Sequence, residues 1–287
     1  MNDNSREDRI DVFRDTISLC RTSSRLRRAI QDSKAAQMLI LEGDEIPDLP
    51  QKSIYEDDVN CVVSKKRTFE AAQYYTGQRI CVLNFASATN PGGGVTKGSS
   101  AQEECLCRCS TLYPCINADD VKTGFHYRHR SMLKSGDMNA LYNSDCIYTP
   151  GIIVMKSDTS LPRILPEAQW YNVDVITCAA PNLRLFPGNP LNPGSDSRAV
   201  RISESELILL HEKRANRILD IAKAHRAEIV ILGAFGCGAF RNPPAAVAAG
   251  IRNAVDRHRR DFRTIEFAVY CPPRDNRNYE AFREMFR

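Results

Sequence analysis

Two adjacent carboxylates, Glu103 and Glu104, follow the run Asn90-Pro91-Gly92-Gly93-Gly94, separated from it by Val95–Ala101 and Gln102. Three glycines in a row let backbone approach a ligand closely and adopt positive φ, so that consecutive N–H groups face an anion. A helix start after such a turn adds the positive end of its dipole. The run is not a phosphate-binding P-loop, because Lys97 follows Thr96 and the Gly-Lys-Ser/Thr order is absent. Neighbouring carboxylates do not form an ordinary glycosidase pair, whose members flank the scissile bond roughly 5 to 9 Å apart. One carboxylate would have to act twice, as acid to the leaving oxygen and then as base to water.

Local physics separates the two glutamates. Ser100-Ala101-Gln102-Glu103 reads as a capping box, with Glu103 reaching back to the Ser100 backbone N–H. Glu104 lies about 100° further round the helix and cannot join that box. The pattern therefore nominates Glu104 for chemistry and gives Glu103 a structural task.

A second glycine-rich turn spans Gly233-Ala234-Phe235-Gly236-Cys237-Gly238-Ala239-Phe240. It follows an apolar run and precedes a helical pattern, but its spacing is not the GxGxxG of a dinucleotide-binding domain. Two such turns facing one crevice would suit a diphosphate.

These turns need elements to hold them. Residues 7–42 read as helical, with one apolar stripe from Ile10 to Cys20 and a second from Ala29 to Leu41. Residues 43–59 are acidic, contain Pro47 and Pro50, and read as a connector. Strands and helices then alternate. Strands are expected at Arg79–Phe85, Asp145–Met155, Val173–Ala179, Glu228–Ala234 and Thr264–Cys271. Helices are expected from about Ser100 to Leu112 and at Ser203–His225, Pro243–Arg257 and Tyr279–Phe286, with a loop over Asn182–Ser197. This alternation implies an α/β fold on a mixed, largely parallel sheet, with residues 1–59 as a helical extension and connector and 60–287 as the main domain. Ligands of such sheets bind outside the carboxyl ends of strands, where both glycine turns fall.

Composition sets the outer bounds. With 287 residues, 43% of them hydrophobic, the chain can bury a sizeable core. The polar start MNDNSREDRI does not resemble a signal peptide, and no apolar run is long enough to span a membrane, so an intracellular, cytoplasmic protein is expected, with the nucleus a further option if the source is eukaryotic. An odd count of 11 cysteines fits reduced thiols. Cys105, Cys107 and Cys109, spaced by two in a helical segment, point to different sides, and buried thiols are expected there rather than a metal site. The net charge of +4 suits an anionic ligand without demanding nucleic acid. The clusters Arg25-Leu26-Arg27-Arg28 and Arg257-His258-Arg259-Arg260 read as solvated helix faces.

The stretch LNFASATNPGGGVTKGSSAQEECLCRCSTLY, Leu83–Tyr113, resembles the microbial-type poly(ADP-ribose) glycohydrolases, in which a triple glycine is followed after a short gap by Gln-Glu-Glu. GAFGCGAFRNPP (Gly233–Pro244) is similar to that family's diphosphate loop. ITCAAPN (Ile176–Asn182) and IYTPGIIVMKSD (Ile147–Asp158) also look like family segments. The resemblance implies a macrodomain-like three-layer α/β/α sandwich with an ADP-ribose cleft and no metal or cofactor. By position, Glu104 matches the catalytic glutamate and Glu103 its ribose-orienting neighbour. Asn90 matches a ribose contact; Gly92, Gly93, Gly94 and Val95, with Gln102, fall in the catalytic segment. Gly236, Cys237, Gly238 and Ala239 match the diphosphate loop, and Phe240 the aromatic that positions ribose. The Cys178–Pro181 strand end is the candidate for adenine. The implied reaction is hydrolysis of ribose–ribose O-glycosidic bonds, mainly from the chain end, releasing ADP-ribose. The implied partners are poly(ADP-ribose) and ADP-ribosylated proteins, for a monomer without membrane or stable nucleic-acid binding. A non-catalytic ADP-ribose reader, a hydrolase of mono-ADP-ribosyl conjugates and a nucleic-acid binder using the Arg clusters are the alternatives.

Overall fold

A computed structural model describes residues 5–188, 199–272 and 275–287; part of the Asn182–Ser197 segment, read as a loop, lies outside them. The chain opens with α1 (Arg6–Thr22) and α2 (Ser24–Ala35), followed by strands β1 (Met38–Ile40) and β2 (Asn60–Ser64). Helix α3 (Thr68–Gln73) and strand β3 (Ile80–Phe85) lead to a 3-10 turn, Val95–Lys97, and α4 (Gln102–Cys109). Next come α5 (Leu112–Ile116), α6 (Asp119–Val121), a π-helical turn Lys122–Tyr127, and α7 (Arg128–Ser135). Strands β4 (Cys146–Val154) and β5 (Tyr171–Cys178) precede α8 (Glu204–Ala224), β6 (Ile229–Leu232), α9 (Pro244–Arg257), β7 (Thr264–Ala268) and α10 (Arg277–Met285).

The strands form one seven-stranded sheet in the order β1-β4-β5-β3-β6-β7-β2. Strands β5, β3, β6, β7 and β2 run parallel, while β4 is antiparallel to β5 and β1 to β4. Because side chains alternate along a strand, the parallel strands feed two cores. Cys81, Leu83, Ile176, Val230 and Leu232 face α8, α9 and α10, whereas Ile80, Val82, Val175, Ile229 and Ile231 face the side of α1 to α5. The result is the expected three-layer α/β/α sandwich.

The helical reading of residues 7–42 needs one correction. After α2 the chain becomes extended, and Met38–Ile40 pairs with Tyr148–Cys146 of β4. Met38, Leu39 and Ile40 form a short apolar run that periodicity alone cannot assign, and the open hydrogen-bonding edge of β4 decides it. Strand β2 and helix α3 were also not expected, and the 43–59 stretch holds no regular element. It is tied instead by backbone: the Ile54 and Tyr55 amides donate to Arg260 O at 3.0 and 2.8 Å.

Candidate active site

Strands β3 and β6 lie side by side, so the loops leaving their carboxyl ends, 86–101 and 233–243, meet over one cleft. Pairing between the two strands stops at Val82–Ile231. Beyond that point Gln102 replaces the missing strand. Its Oε1 accepts from the Phe85 amide at 2.9 Å, and its Nε2 donates to Leu83 O at 2.7 Å and to Thr68 Oγ1 at 3.1 Å.

The expected capping box does not form. Ala101 is the N-cap of α4 and provides no side-chain bond, so the helix starts one residue later than the box requires. Glu103 consequently faces the sheet, 3% exposed, rather than Ser100. Its Oε2 accepts from the Ser87 amide at 2.8 Å and its Oε1 from Asn84 Nδ2 at 3.3 Å. Its structural task is therefore tertiary. Burial, reinforced by the neighbouring Glu104 charge, pushes its carboxyl up to about 8.

Glu104 is 7% exposed and turns to the glycine run. Its Oε1 accepts from the Gly94 amide at 2.8 Å, and its Oε2 is buried without a hydrogen-bond partner in the protein. Of the N–H groups expected to face an anion, that of Gly94 thus meets the chain's own carboxylate, and that of Gly93 donates to Asn90 O at 2.9 Å. Gly92 and Gly93 have φ of 68° and 56°. A Cβ on Gly93 would lie 2.5 Å from Glu104 Oε1, and one on Gly92 2.7 Å from the Tyr113 ring, so neither position has room for a side chain.

The second loop is braced from behind. Gly236 has φ 82°, and a Cβ there would stand 2.7 Å from both Ala180 Cβ and Asn242 Nδ2. Buried Asn242 donates through Nδ2 to Pro181 O at 2.7 Å and to Gly236 O at 3.1 Å. Its Oδ1 accepts from His211 Nε2 at 2.9 Å. Burial pushes His211 down to about 4, so the ring is neutral and carries its proton on Nε2. On the open side, nothing lies within 4 Å of a Cβ placed on Gly238.

The two loops enclose a cavity of about 930 Å³. Of the residues expected at the site, Gly93, Gly94, Gln102, Glu103 and Glu104 line it from one side, and Gly236, Gly238, Ala239 and Phe240 from the other. Asn90, Gly92, Val95 and Cys237 are not on its wall. The Asn90 side-chain amide donates to Gly93 O, which locks the turn internally. Val95 is fully buried in the core, and Cys237 packs against the opposite core with its thiol pushed up to about 12 by burial. At the strand end expected for adenine, Cys178 is fully buried, and only Ala180 reaches the wall.

Several wall residues carried no recognisable sequence signal. Arg67 stacks over the half-exposed Tyr270 ring at 4.0 Å, and Arg184 and Arg9 add further guanidinium groups. Arg108, 2% exposed on α4, reaches back to Ser99 O at 2.6 Å. The cysteines of α4 diverge: Cys105 borders the cavity, whereas Cys109 Sγ faces Ser157 O at 3.5 Å. The surface Arg clusters are engaged locally, Arg25 with Glu167, Arg257 with Glu212, and Arg260 with Asp58. The cleft as a whole offers a carboxylate with one bare oxygen, a glycine loop open to a ligand, and cationic walls that suit an anion.

Residues 13–157 match the family model described as the microbial-type PARG catalytic domain. Among solved structures, the chain is similar to poly(ADP-ribose) glycohydrolase (PARG) from Thermomonospora curvata, at 28% identity and a TM-score of 0.77, over 98% of this chain and 100% of that one. The same bacterial enzyme bound to the inhibitor ADP-HPD matches at 27% identity and TM-score 0.75, again over 98% and 100%. The PARG of Deinococcus radiodurans in complex with ADP-ribose matches at 28% identity and TM-score 0.71, over 89% of this chain and 96% of that one. No curated protein matches the sequence.

Proposed function

Given that the chain belongs to the microbial-type poly(ADP-ribose) glycohydrolase family, we propose that it hydrolyses the ribose–ribose O-glycosidic bond of poly(ADP-ribose) with Glu104 as the single acid–base group. The observation that carries this reading is the asymmetry of the Glu104 carboxylate. One oxygen is held by the Gly94 amide, the other is buried without a hydrogen-bond partner in the protein, and the residue itself lines the cavity. A carboxyl so placed donates a proton to the leaving 2′ oxygen and then takes one from the attacking water. Developing positive charge on the ribose is offset by the ionised carboxylate and the ligand's own phosphates. Glu103, fixed by Ser87 and Asn84, would orient the ribose. The second loop, with its open backbone at Gly238 and Ala239, would take the diphosphate.

Attack at the chain end is supported by the packing behind the catalytic turn. Gly92 to Val95 are buried and the Tyr113 ring lies against Gly92, so that side of the turn is backed by packed protein. The test is digestion of purified poly(ADP-ribose) by the wild-type protein and by Glu104→Ala. Release of ADP-ribose by the wild type alone, without early oligomers, is expected. Intact polymer with the wild type would remove the hydrolase reading, and early oligomers the chain-end reading.

A further inference from the structure

The first turn of α1 sits directly on the catalytic loop. Gly98, with φ 74°, leaves so little space that a Cβ would stand 2.5 Å from Arg6 O and 2.8 Å from Arg6 Cγ. Arg6 Nε donates to Lys97 O at 2.5 Å, and Arg9 Nε donates to Gly98 O at 2.7 Å. Two successive loop carbonyls are thus held by two guanidinium groups one helical turn apart. Further along α1, Phe13 packs edge-on against Tyr113 with ring centroids 4.9 Å apart, and Tyr113 in turn lies over Gly92. Thr16 Oγ1 donates to Arg108 O at the far end of α4, 2.6 Å away. Helix α1 therefore touches both ends of the segment that carries Gly94 and the helix that carries Glu104.

We propose that Arg9, assisted by Arg6, is a positioning residue: it clamps Lys97–Gly98 so that the Gly94 amide stays in register with the Glu104 carboxylate. Both arginines lie in the first turns of α1, ahead of the 13–157 span matched by the family model. The geometry is mechanically direct. The Ser99 amide donates back to Gly94 O at 3.1 Å and the Lys97 amide to the same oxygen at 2.9 Å, so a shift of Lys97–Gly98 is passed to Gly94 through two hydrogen bonds. Gly94 then loses its place opposite Glu104, while the second loop is braced separately, by Asn242 and His211. A displaced Lys97–Gly98 segment alone therefore affects turnover rather than ligand affinity.

The inference rests on the hydrolase reading for its kinetic half only. The experiment compares wild type, Arg9→Ala, Arg9→Lys and Gly98→Ala, with Arg14→Ala, an exposed residue on the same helix, as the control. Steady-state release of ADP-ribose, ADP-ribose binding by calorimetry, and amide hydrogen exchange at Val95–Ser99 are measured well below the melting temperature. Arg9→Ala and Gly98→Ala are expected to lower kcat by ~10-fold or more, on the scale of a misplaced catalytic group. ADP-ribose Kd should stay within about twofold in Gly98→Ala, whereas Arg9→Ala, which also takes a guanidinium from the cavity wall, should add a rise in Kd to its loss of kcat. Exchange should accelerate at Val95–Ser99 in both, Arg9→Lys should recover part of the loss, and Arg14→Ala should match wild type. Unchanged exchange and kcat in Arg9→Ala would overturn the clamp, as would a loss confined to Kd. If the wild type leaves polymer intact, the hydrolase reading fails alone, and the exchange data still decide the clamp.

Discussion

Gly93 and Glu104 are in contact across the first glycine turn: the space where a Gly93 side chain would begin is occupied, at 2.5 Å, by Glu104 Oε1. The glycine is there for the carboxylate as much as for a ligand. Gly93→Ala would force apart the turn and the glutamate, and at φ 56° it also strains the backbone. The expected result is a fall in kcat of ~10²-fold, the scale of a positioned acid–base group. In the double variant Gly93→Ala/Glu104→Ala the two losses should not add, since both act through one carboxylate. Full additivity in steady-state assays would show that Gly93 acts elsewhere.

Glu103 makes stability depend on pH in a specific direction. Its carboxyl is raised to about 8, so the folded protein keeps a proton that the unfolded chain releases above about 4.5. Folded molecules then bind more protons than unfolded ones, and this group's contribution falls as pH rises from about 4.5 to 8. Glu103→Gln removes the titration. The melting temperature of the variant minus that of wild type should therefore rise steadily across that window. A flat difference would mean that Glu103 is already ionised in the folded state.

Two buried histidines act with the opposite sign. Burial pushes His126 down to about 3 and His211 to about 4, so the folded protein refuses protons that the unfolded chain accepts below about 6.5. Stability should drop on acidification from pH 6.5 towards 4, by an amount on the order of several kcal/mol in all. His211→Gln keeps a donor for Asn242 and should flatten part of that slope in urea titrations at stepped pH. An unchanged slope would assign the acid sensitivity to other groups.

Asn242 is the brace of the second loop. Asn242→Ala leaves Pro181 O without that donor and removes the His211 partner, all in a buried setting, so a loss of ~2 kcal/mol is expected on denaturant unfolding. The loop it held should also bind ADP-ribose more weakly, as read by calorimetry. Wild-type affinity together with the full stability loss would separate the brace from ligand binding.

The alternation of apolar strands and amphipathic helices, and the glycines at two strand ends, were legible because they rest on local periodicity and on backbone that needs positive φ. The Ser100–Glu103 capping box failed although its residues are in the correct order. A one-residue shift in the start of α4, set by Gln102 pairing with the exposed edge of β3, turned Glu103 inward. No local rule contains that information, because the deciding partner lies seventeen positions away. The same holds for Met38–Ile40, a strand only because β4 is beside it. Arg67, Arg108 and Tyr270 were invisible for a related reason: isolated residues from three distant parts of the chain become one wall only after folding.

Strand β4 illustrates what β1 accomplishes beyond extending the sheet. A nine-residue strand left at a rim would offer its backbone groups to any other extended chain. Here β1 takes Cys146–Tyr148, while the Thr111 amide takes Ile153 O and Ser110 bridges Val154. The outer border of β4 is spoken for by the chain's own segments at both ends, which leaves little template for growth of the sheet from one molecule into the next.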